Sequence, residues 1–281
     1  MIFPSKLSRK ECILRCMEQS SGWCSGQEIA DTLGISRAAV GKHVAVLRSE
    51  GHIIESASKK GYRLIMQADT IRPEDIREAL QTRCFGQRYI DILPETTSTS
   101  NELVAQALLG AEEGTIVVAE KQTHGKGRKG HDWFSAPRAL QFSLLLRPKS
   151  LIAHDFFMQA AALSVAQAVA DITSLTAQVK GPNDVFIGGR KVAGVLIETG
   201  FRSDELEWVV VGIGCNVNTM PEEFPQELRH KVTSLYDAGG NYIPRARLLA
   251  AILARLEGWY DILLQGTTLP LRQAWEDWHI G

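Results

Sequence analysis

Apolar residues recur at helical spacing in three successive segments at the start of the chain. The first segment spans residues 7–19. The second begins at Ser25, which stands three residues before Glu28 as in a capping box, and it ends at Gly34, which suits a tight turn. The third spans residues 37–49. The pattern therefore predicts three short helices with a glycine turn before the last one.

Two short β-forming stretches, at residues 52–55 and 62–65, follow the third predicted helix and are joined by a Ser, Lys and Gly turn. Three helices followed by a hairpin with a basic tip predict a winged helix-turn-helix over residues 1–65. A helix fits the major groove of DNA, and lysines of the wing can reach backbone phosphates. The predicted DNA-binding residues are Arg37, Lys42, Arg48, Lys59 and Lys60. A helix-turn-helix used only for protein contacts is the alternative.

The distribution of charge along the chain changes this picture in one respect. The whole chain carries 31 Lys and Arg against 32 Asp and Glu, so its net charge indicates no polyelectrolyte partner. Residues 1–65 hold ten Lys and Arg against six Asp and Glu, a surplus of four. Basic charge is therefore concentrated in the segment that is predicted to bind DNA.

The remaining pattern mixes helices with strands and predicts an α+β domain over residues 74–281, after a linker at 66–73. A helix is predicted from Pro73, a strand at 89–93, and a helix at 102–109 whose N-cap ends the hydroxyl run 96–101. Further predicted elements are a buried helix at 154–172, a hairpin around Gly188 and Gly189, a strand at 206–213, a polar mobile loop at 219–234, a long helix at 244–264 and a short helix around Trp275.

Residues 120–135 form the most distinctive stretch of the chain, because three glycines alternate there with basic residues between two apolar strands. Glycine has the largest backbone entropy to lose and close cations repel one another, so we expect mobility until an anion such as a phosphate orders the segment. The spelling matches Gly-x-Gly-x-x-Gly, but a turn and a strand follow where a dinucleotide site requires a helix. A solvated basic hairpin is the alternative.

Polar residues at the ends of later strands are further candidates for a site. Lys191 follows a glycine turn in an apolar strand, where it can share a space with Asn183 and Asp184; a surface lysine paired with Asp184 is the alternative. Asn216 ends another strand and could bind the edge of a ring or only shape a turn. The hydroxyls around Thr99 could bind a small neutral polar group or serve only as a helix cap.

Composition excludes several classes of protein. No apolar run reaches the ~18 residues that a membrane span requires, and the first thirty residues lack the apolar core of a signal peptide, so we predict a cytoplasmic protein with no membrane partner. The five cysteines include no Cys-x-x-Cys pair and are expected to be reduced and structural. Cys12, Cys16 and Cys24 lack a fourth ligand at the spacing of a metal site.

Taken together, the motifs closely resemble one family, the bifunctional biotin protein ligase and biotin operon repressor of bacteria. The matching segments are the helix-turn-helix stretch at 25–43, GKGRKG at 125–130, PND at 182–184, RKVAG at 190–194 and GIGCNV at 212–217. Any one of these motifs is ordinary, but five in the right order are specific. The resemblance covers nearly the whole chain and implies a catalytic domain with a class II synthetase-like mixed β-sheet after the winged helix.

The resemblance also implies an activity, substrates and partners. Biotin and ATP would condense to biotinyl-5′-adenylate with the help of Mg²⁺. The biotinyl group would then pass to a lysine of the biotin carboxyl carrier protein of acetyl-CoA carboxylase. The same protein would repress biotin genes by binding operator DNA as a ligand-dependent homodimer.

Carried over residue by residue, the resemblance assigns roles to positions in this chain. Lys191 and Arg128 correspond to catalytic residues. The implied biotin-binding residues are Thr99, Ser100, Gln122, Gly125, Lys126, Arg128 and Lys191. The implied ATP-binding or adenylate-binding residues are Asn183, Asp184 and Asn216, with Asp184 as a ligand of Mg²⁺.

The chain departs from the family's usual pattern at three places. Gly181 stands where a tryptophan is usual, and two lysines of the glycine segment stand where arginines are common, which keeps the charge but not the fork geometry. The family continues past the position of Trp275 into a C-terminal β-barrel, which is lacking after Gly281. A biotin-responsive transcriptional regulator with little or no ligase activity is therefore an alternative. A ligase for lipoate or octanoate is another, against which the winged helix argues.

Overall fold

The computed structural model describes residues 8–20, 22–149 and 152–280, and the chain divides after Thr70 into two compact units. The first unit contains α1 (Arg9–Gln19), α2 (Gly26–Leu33), α3 (Arg37–Ser49), β1 (Ile53–Ala57) and β2 (Gly61–Met66). β1 and β2 pair as an antiparallel hairpin. This order of elements confirms the predicted winged helix-turn-helix.

Polar caps explain where the helices of the first unit begin. Ser8 forms a capping box with Glu11 at the start of α1, and Ser25 does the same at α2. α2 then ends at Gly34, which adopts the left-handed conformation with a φ of 61°. The sequence prediction starts the first helix at Leu7, which lies outside the described residues; α1 begins at Arg9 because Ser8 is its cap.

The wing hairpin is joined to the turn that precedes α2. Tyr62 and Cys24 exchange two backbone hydrogen bonds of 2.7 and 2.8 Å, so the turn acts as a third short strand. Gly61 permits this approach, since a Cβ there would lie 2.1 Å from the Cys24 carbonyl oxygen. β2 ends at Met66, which is buried.

The second unit alternates helices and strands around one large sheet. Its elements are α4 (Pro73–Ala79), β3 (Ile90–Leu93), α5 (Thr99–Leu108), β4 (Ile116–Ala119), β5 (Gly125–Lys126), β6 (Asp132–Trp133), β7 (Leu140–Leu146), α6 (His154–Ile172), β8 (Gln178–Lys180), β9 (Asp184–Ile187), β10 (Arg190–Arg202), β11 (Glu205–Cys215), α7 (Leu235–Gly239), α8 (Arg245–Leu264) and α9 (Leu269–Trp278). The helix predicted at 154–172 and the hairpin predicted around Gly188 and Gly189 are both present.

The large sheet has seven strands in the order β3-β4-β7-β11-β10-β9-β8. β3 and β4 are parallel, and the other neighbouring pairs are antiparallel, so the sheet is mixed as expected. Alternation along β4 and β7 divides their side chains between two faces. Ile116 and Leu144 pack in the main core with α6 and α8, whereas Val117 and Leu145 pack against α5 on the other face.

β10 is longer than the strand that covers one of its edges. It pairs with β11 as far as Arg202, but it pairs with β9 only over residues 190–194. Asn183 covers the next position, since it exchanges hydrogen bonds of 2.9 Å with the backbone of Val195. From Leu196 onwards, no strand among the described residues pairs with this edge of β10.

The segment predicted as a mobile loop at 219–234 is anchored to the start of β10. Lys191 donates its backbone N–H to the Lys231 carbonyl at 2.9 Å, and Thr233 donates to the Lys191 carbonyl at 2.8 Å. The segment therefore holds the backbone of Lys191 at the start of β10, on the edge that does not pair with β9.

Candidate active site

A small cavity of about 50 Å³ opens between the first turn of α5, the β5–β6 hairpin and the middle of β10 and β11. It brings together seven residues that the sequence analysis assigns to the site: Thr99, Ser100, Gln122, Lys126, Arg128, Asn183 and Lys191. These residues come from five separate segments of the chain. The cavity has a hydroxyl and amide end near α5 and a cationic end near Lys191.

Glycines of the two central strands form the floor of the cavity. A Cβ at Gly212 would lie 2.6 Å from the Ser100 hydroxyl oxygen. A Cβ at Gly214 would lie 2.5 Å from the indole ring of Trp133. Any side chain at these positions would fill the space, so the sequence keeps the floor open with glycine.

The hydroxyl end depends on a helix that starts earlier than the sequence indicates. α5 begins at Thr99 after the N-cap Ser98, whereas the prediction starts the helix at Glu102 with Asn101 as its cap. The prediction is wrong because Thr99 and Ser100 are themselves helical. The Ser98 side chain makes no capping hydrogen bond. The hydroxyls of Thr99 and Ser100 instead reach Ser143 on β7, at 2.8 and 3.1 Å.

The direction of the hydrogen bonds at this end follows from one backbone donor. The Thr99 N–H donates to Gln122 Oε1 at 2.7 Å, so the carbonyl end of this amide must face α5. The Thr99 hydroxyl is 3.2 Å from the same oxygen and must donate as well, because that oxygen only accepts. Gln122 therefore has only amide N–H donors left.

The remaining hydroxyls then have a fixed order. Once Thr99 donates to Gln122, it must accept the hydrogen of Ser143, and Ser143 must accept the hydrogen of Ser100. Ser100 is left with lone pairs at the cavity wall. This end of the cavity consequently offers an amide donor beside hydroxyl acceptors.

The cationic end is built on the β9–β10 hairpin. Lys191 Nζ lies 2.7 Å from Asp184 Oδ1 and 5.6 Å from the ring centre of Trp133. Asp184 does not line the cavity itself and reaches the site through Lys191. The Lys191–Asp184 pair, which was the alternative to a role in the site, is therefore present, but Lys191 also lines the cavity.

The glycine stretch forms a short hairpin over the cavity. Gly125 pairs with Trp133, and Lys126 pairs with Asp132. Gly125 is buried and does not line the cavity; a Cβ there would lie 2.6 Å from the Trp133 carbonyl oxygen. The Lys126 ammonium lies 3.0 Å from Glu198 Oε1 on β10. Arg128 lines the cavity and makes no ion pair with any described residue.

Asn216 is not brought to the cavity. Its side chain is buried and its Nδ2 donates to the Thr233 carbonyl at 3.0 Å. Its backbone N–H donates to Val192 at 2.8 Å. This arrangement favours the alternative in which Asn216 shapes a turn, so its adenylate role stays a prediction.

Three residues of the site were not singled out from the sequence. Trp133 packs against Gly194 and Gly214, and its buried indole N–H has no partner among the described residues. Gln141 and Ser143 lie on β7 and are both 0% exposed. The sequence did contain a signal for Gln141 and Ser143, because they are polar residues in an otherwise apolar strand and buried polar groups require partners.

The first unit presents its basic residues on α3 and on the wing. Arg37 and Lys42 are exposed on α3, and Lys59 and Lys60 are exposed at the wing tip. Arg48 is exposed too, but its guanidinium donates to the Ile54 carbonyl at 2.7 and 2.9 Å and so joins α3 to β1. The wing also holds Lys60 and Arg63 over the Trp23 ring, at 5.7 and 5.1 Å.

Other predicted features have simple outcomes. Cys12, Cys16 and Cys24 pack in the core of the first unit. Burial raises the pKa of the Cys215 thiol to about 12. In the part of the chain that the structure describes, no helix is both long and apolar enough to cross a membrane.

Comparison with known proteins identifies similar sequences and structures. Residues 92–216 match the model of the Biotin/lipoate A/B protein ligase family, and residues 9–63 match an HTH domain. The chain is 38% identical to the bifunctional ligase/repressor BirA of Bacillus subtilis over 97% of its length and 84% of that protein. It is 33% identical to a biotin–[acetyl-CoA-carboxylase] ligase of Mycobacterium tuberculosis, over 67% of this chain and 72% of the relative.

Solved structures give the same result. The biotin protein ligase of Aquifex aeolicus, in complex with biotin and ATP, superposes with a TM-score of 0.61 at 31% identity. The match covers 69% of this chain and 79% of the Aquifex chain.

Proposed function

The chain belongs to the family of bifunctional biotin protein ligases and repressors, and from that premise we propose how its own residues divide the work. It is a biotin–[acetyl-CoA-carboxylase] ligase that carries a helix-turn-helix repressor domain, and biotin and ATP are its substrates. We place the DNA-binding domain at residues 1–65, the linker at 66–73 and the catalytic domain at 74–281.

The observation that carries the assignment of biotin is the order of hydrogen bonds at the α5 end of the cavity. The ureido ring of biotin has a carbonyl that accepts and two N–H groups that donate. Gln122 offers a donor for that carbonyl, and Ser100 offers an acceptor for a ureido N–H. A lipoyl dithiolane has neither group and would leave these buried polar atoms unpaired, which is costly.

The cationic end acts on the reacting groups. The biotin carboxylate attacks the α-phosphorus of ATP, a bond from oxygen to phosphorus forms, and the bond to the departing pyrophosphate breaks. Negative charge grows on the phosphate oxygens, and Lys191 and Arg128 are cations at the cavity that oppose it. We assign Lys191 to the transferred phosphate and Arg128 to retention of the adenylate.

Mg²⁺ fits the donors at this end. It binds hard oxygen ligands and usually combines one or two carboxylates with substrate phosphates. The Asp184 carboxylate, 2.7 Å from Lys191, is such a donor, so we propose it as the residue that holds the ion. When bound, Mg²⁺ would neutralise phosphate charge. Asn183 would position the nucleotide, because it lines the cavity beside Lys191.

The β5–β6 hairpin would close the site during the second step. An amine of the carrier lysine attacks the acyl carbon of the mixed anhydride, an amide forms, the bond to AMP breaks and the amine proton is released. Water would compete for the same carbon. Lys126 and Arg128 can bind the anhydride phosphate from above, so the hairpin would hold the intermediate and exclude water. We propose the biotin carboxyl carrier protein as the acceptor partner.

The same hairpin supports a route to repression. Lys126 is paired with Glu198, which lies on the part of β10 that pairs with β11 on one edge and with no described strand on the other edge. An open strand edge can pair with another chain. We propose that hairpin closure stabilises a homodimer through this edge, and that two winged helices then bind an operator with two-fold symmetry through Arg37, Lys42, Arg48, Lys59 and Lys60.

Biotin-dependent exchange of pyrophosphate into ATP tests the ligase reaction directly. We expect exchange with biotin and none with lipoate. A folded sample without exchange that still binds biotin would favour the regulator without catalysis. Exchange with lipoate instead of biotin would favour the acyl-ligase alternative.

A further inference from the structure

We propose that Gln141, which does not line the cavity, is a positioning residue that holds the donor face of Gln122 in the orientation set by the Thr99 N–H and so contributes to selectivity for a ureido carbonyl. This inference rests on the proposed function, because it concerns how the same cavity recognises biotin. Gln141 is 0% exposed and lies in the middle of the sheet, opposite Ala119 on β4 and Gly214 on β11.

Gln141 closes a ring of hydrogen bonds behind the cavity wall. Gln122 Nε2 donates to Gln141 Oε1 at 2.9 Å, and Gln141 Nε2 donates to the Ser135 hydroxyl at 2.8 Å. Ser135 also accepts the backbone N–H of Gln122, at 2.9 Å. The ring therefore runs from the Gln122 side chain through Gln141 and Ser135 back to the Gln122 backbone.

One backbone donor that cannot reverse, the Thr99 N–H, sets the orientation of the amides in this ring. The Thr99 N–H requires the oxygen of Gln122 on its side, so the nitrogen of Gln122 must face Gln141. Gln141 must then present its oxygen to Gln122 and its nitrogen to Ser135. One N–H of Gln122 is used by Gln141, and the other remains for a ligand.

Without Gln141, the Gln122 side chain would keep only its contacts to Thr99. The Gln122 nitrogen would have no partner behind the wall. Rotation of the amide about its last torsion would then cost less free energy, and the Gln122 oxygen could accept a hydrogen bond from a ligand. Gln141 also joins Gln122 to Ser135, which follows the hairpin strand β6. The ring therefore couples the hydroxyl and amide end of the cavity to the segment that follows the β5–β6 hairpin.

The test compares biotin with 2-iminobiotin, in which an imino or amino nitrogen replaces the ureido oxygen. This analogue presents a donor where Gln122 requires an acceptor. In titrations on the full chain, we expect the ratio of the two dissociation constants to fall at least about tenfold in Gln141→Leu. The preference of biotin over desthiobiotin, which keeps the ureido group, should stay within about twofold. The KM for biotin should rise while the KM for ATP stays within about twofold.

Two further variants separate positioning from packing. Ser135→Ala breaks the ring without changing the core strand β7, and it should lower the same ratio in a smaller degree. Gln167→Leu is the matched control, because Gln167 is a half-buried glutamine bonded to Trp259 at 3.0 Å in the helical layer. It should lower thermal stability and leave the ratio unchanged.

The outcomes distinguish this inference from the proposed function. Unchanged selectivity in Gln141→Leu and Ser135→Ala, with biotin bound by the wild type, would show that Gln141 only packs the sheet. An equal loss of affinity for all three ligands would show the same. A wild type that binds neither biotin nor desthiobiotin would refute the proposed function itself, and this inference with it.

Discussion

The ammonium of Lys191 lies 2.7 Å from the carboxylate of Asp184 across the β9–β10 hairpin. Both side chains are about one third exposed or less, so the pair is formed at the cavity mouth and not deep in the core. A pair at such a place is weak enough to exchange partners when a triphosphate arrives. The Lys191 ammonium can then bind the phosphate, and the Asp184 carboxylate can bind a cation.

Lys191→Ala should reduce pyrophosphate exchange by at least about 10²-fold, because it removes a fixed cation from the charge that develops on the phosphate. Biotin binding by calorimetry should change little, since the ureido end is unaltered. Lys121→Ala, at an exposed lysine paired with Glu95 at 2.6 Å, is the control and should leave exchange unchanged. Equal loss of exchange and biotin binding would mean that Lys191 is structural.

Arg128→Gly should release the adenylate before transfer. Arg128 has no ionic partner among the described residues, and we expect its charge to serve the anhydride phosphate. Added serum albumin should therefore gain biotin at a rate at least about tenfold higher than with the wild type. Arg88→Gly, at an exposed arginine paired with Glu112, is the matched control. Unchanged labelling would refute the role given to Arg128.

Glu198→Gln should separate catalysis from self-association. The Lys126–Glu198 contact of 3.0 Å joins the hairpin to β10, and Glu198 does not line the cavity. Sedimentation with biotin and ATP should show weaker dimers than in the wild type, while exchange stays within about threefold. Dimers of wild-type strength would argue against coupling through this contact.

Lys60→Ala should weaken operator binding and random DNA binding alike. Lys60 is exposed at the wing tip and lies 5.7 Å from the ring centre of Trp23, and we expect it to contact a DNA phosphate. The slope of log K against log salt should become smaller by about one. Lys42→Ala on α3 should instead alter the preference among operator sequences. A Lys60→Ala variant with an unchanged salt slope would contradict the proposed phosphate contact.

Stability should fall at high pH because of Tyr260. Burial, followed by the nearby Glu113 carboxylate to which the phenol donates at 2.8 Å, raises the pKa of Tyr260 above its ordinary value of 10. The folded state therefore keeps this proton while the unfolded state loses it above pH 10, so the free energy of unfolding decreases as pH rises past 10. Urea unfolding at pH 9, 10 and 11 should show a smaller decrease in Tyr260→Phe. An equal slope in both proteins would assign the effect to other groups.

The elements that sequence predicted well are those fixed by local chemistry. Caps at Ser25 and Ser36 and the left-handed Gly34 place α2 and α3 almost to the residue. The helix of residues 154–172 is apolar on nearly every side, and its length distinguishes it from a buried strand. The hydroxyl run at residues 96–101 offers several possible N-caps in succession, so local chemistry does not determine where the helix begins. The contact of Thr99 with Ser143 on a distant strand determines it.

The parts that sequence did not predict depend on pairings across the chain. Asn216 looks the same in sequence whether it binds a ring or the Thr233 carbonyl, and only the fold distinguishes the two. Gln141 and Gln122 are separated by nineteen positions and meet because β4 and β7 are neighbours in the sheet. The glycine segment was predicted to be ordered by an anion, but its tryptophan could not be placed on the glycines of β10 and β11 without the register.

The approach of Gly61 to the Cys24 carbonyl has an evolutionary consequence. The root of the wing is held by a position where any Cβ would overlap the backbone of the turn before α2, so substitution there should disorder the whole hairpin. The tip, at Ser58 to Lys60, is solvent-exposed. Homologues can therefore vary the tip, and with it the general strength of phosphate contacts to DNA, while the root stays constant.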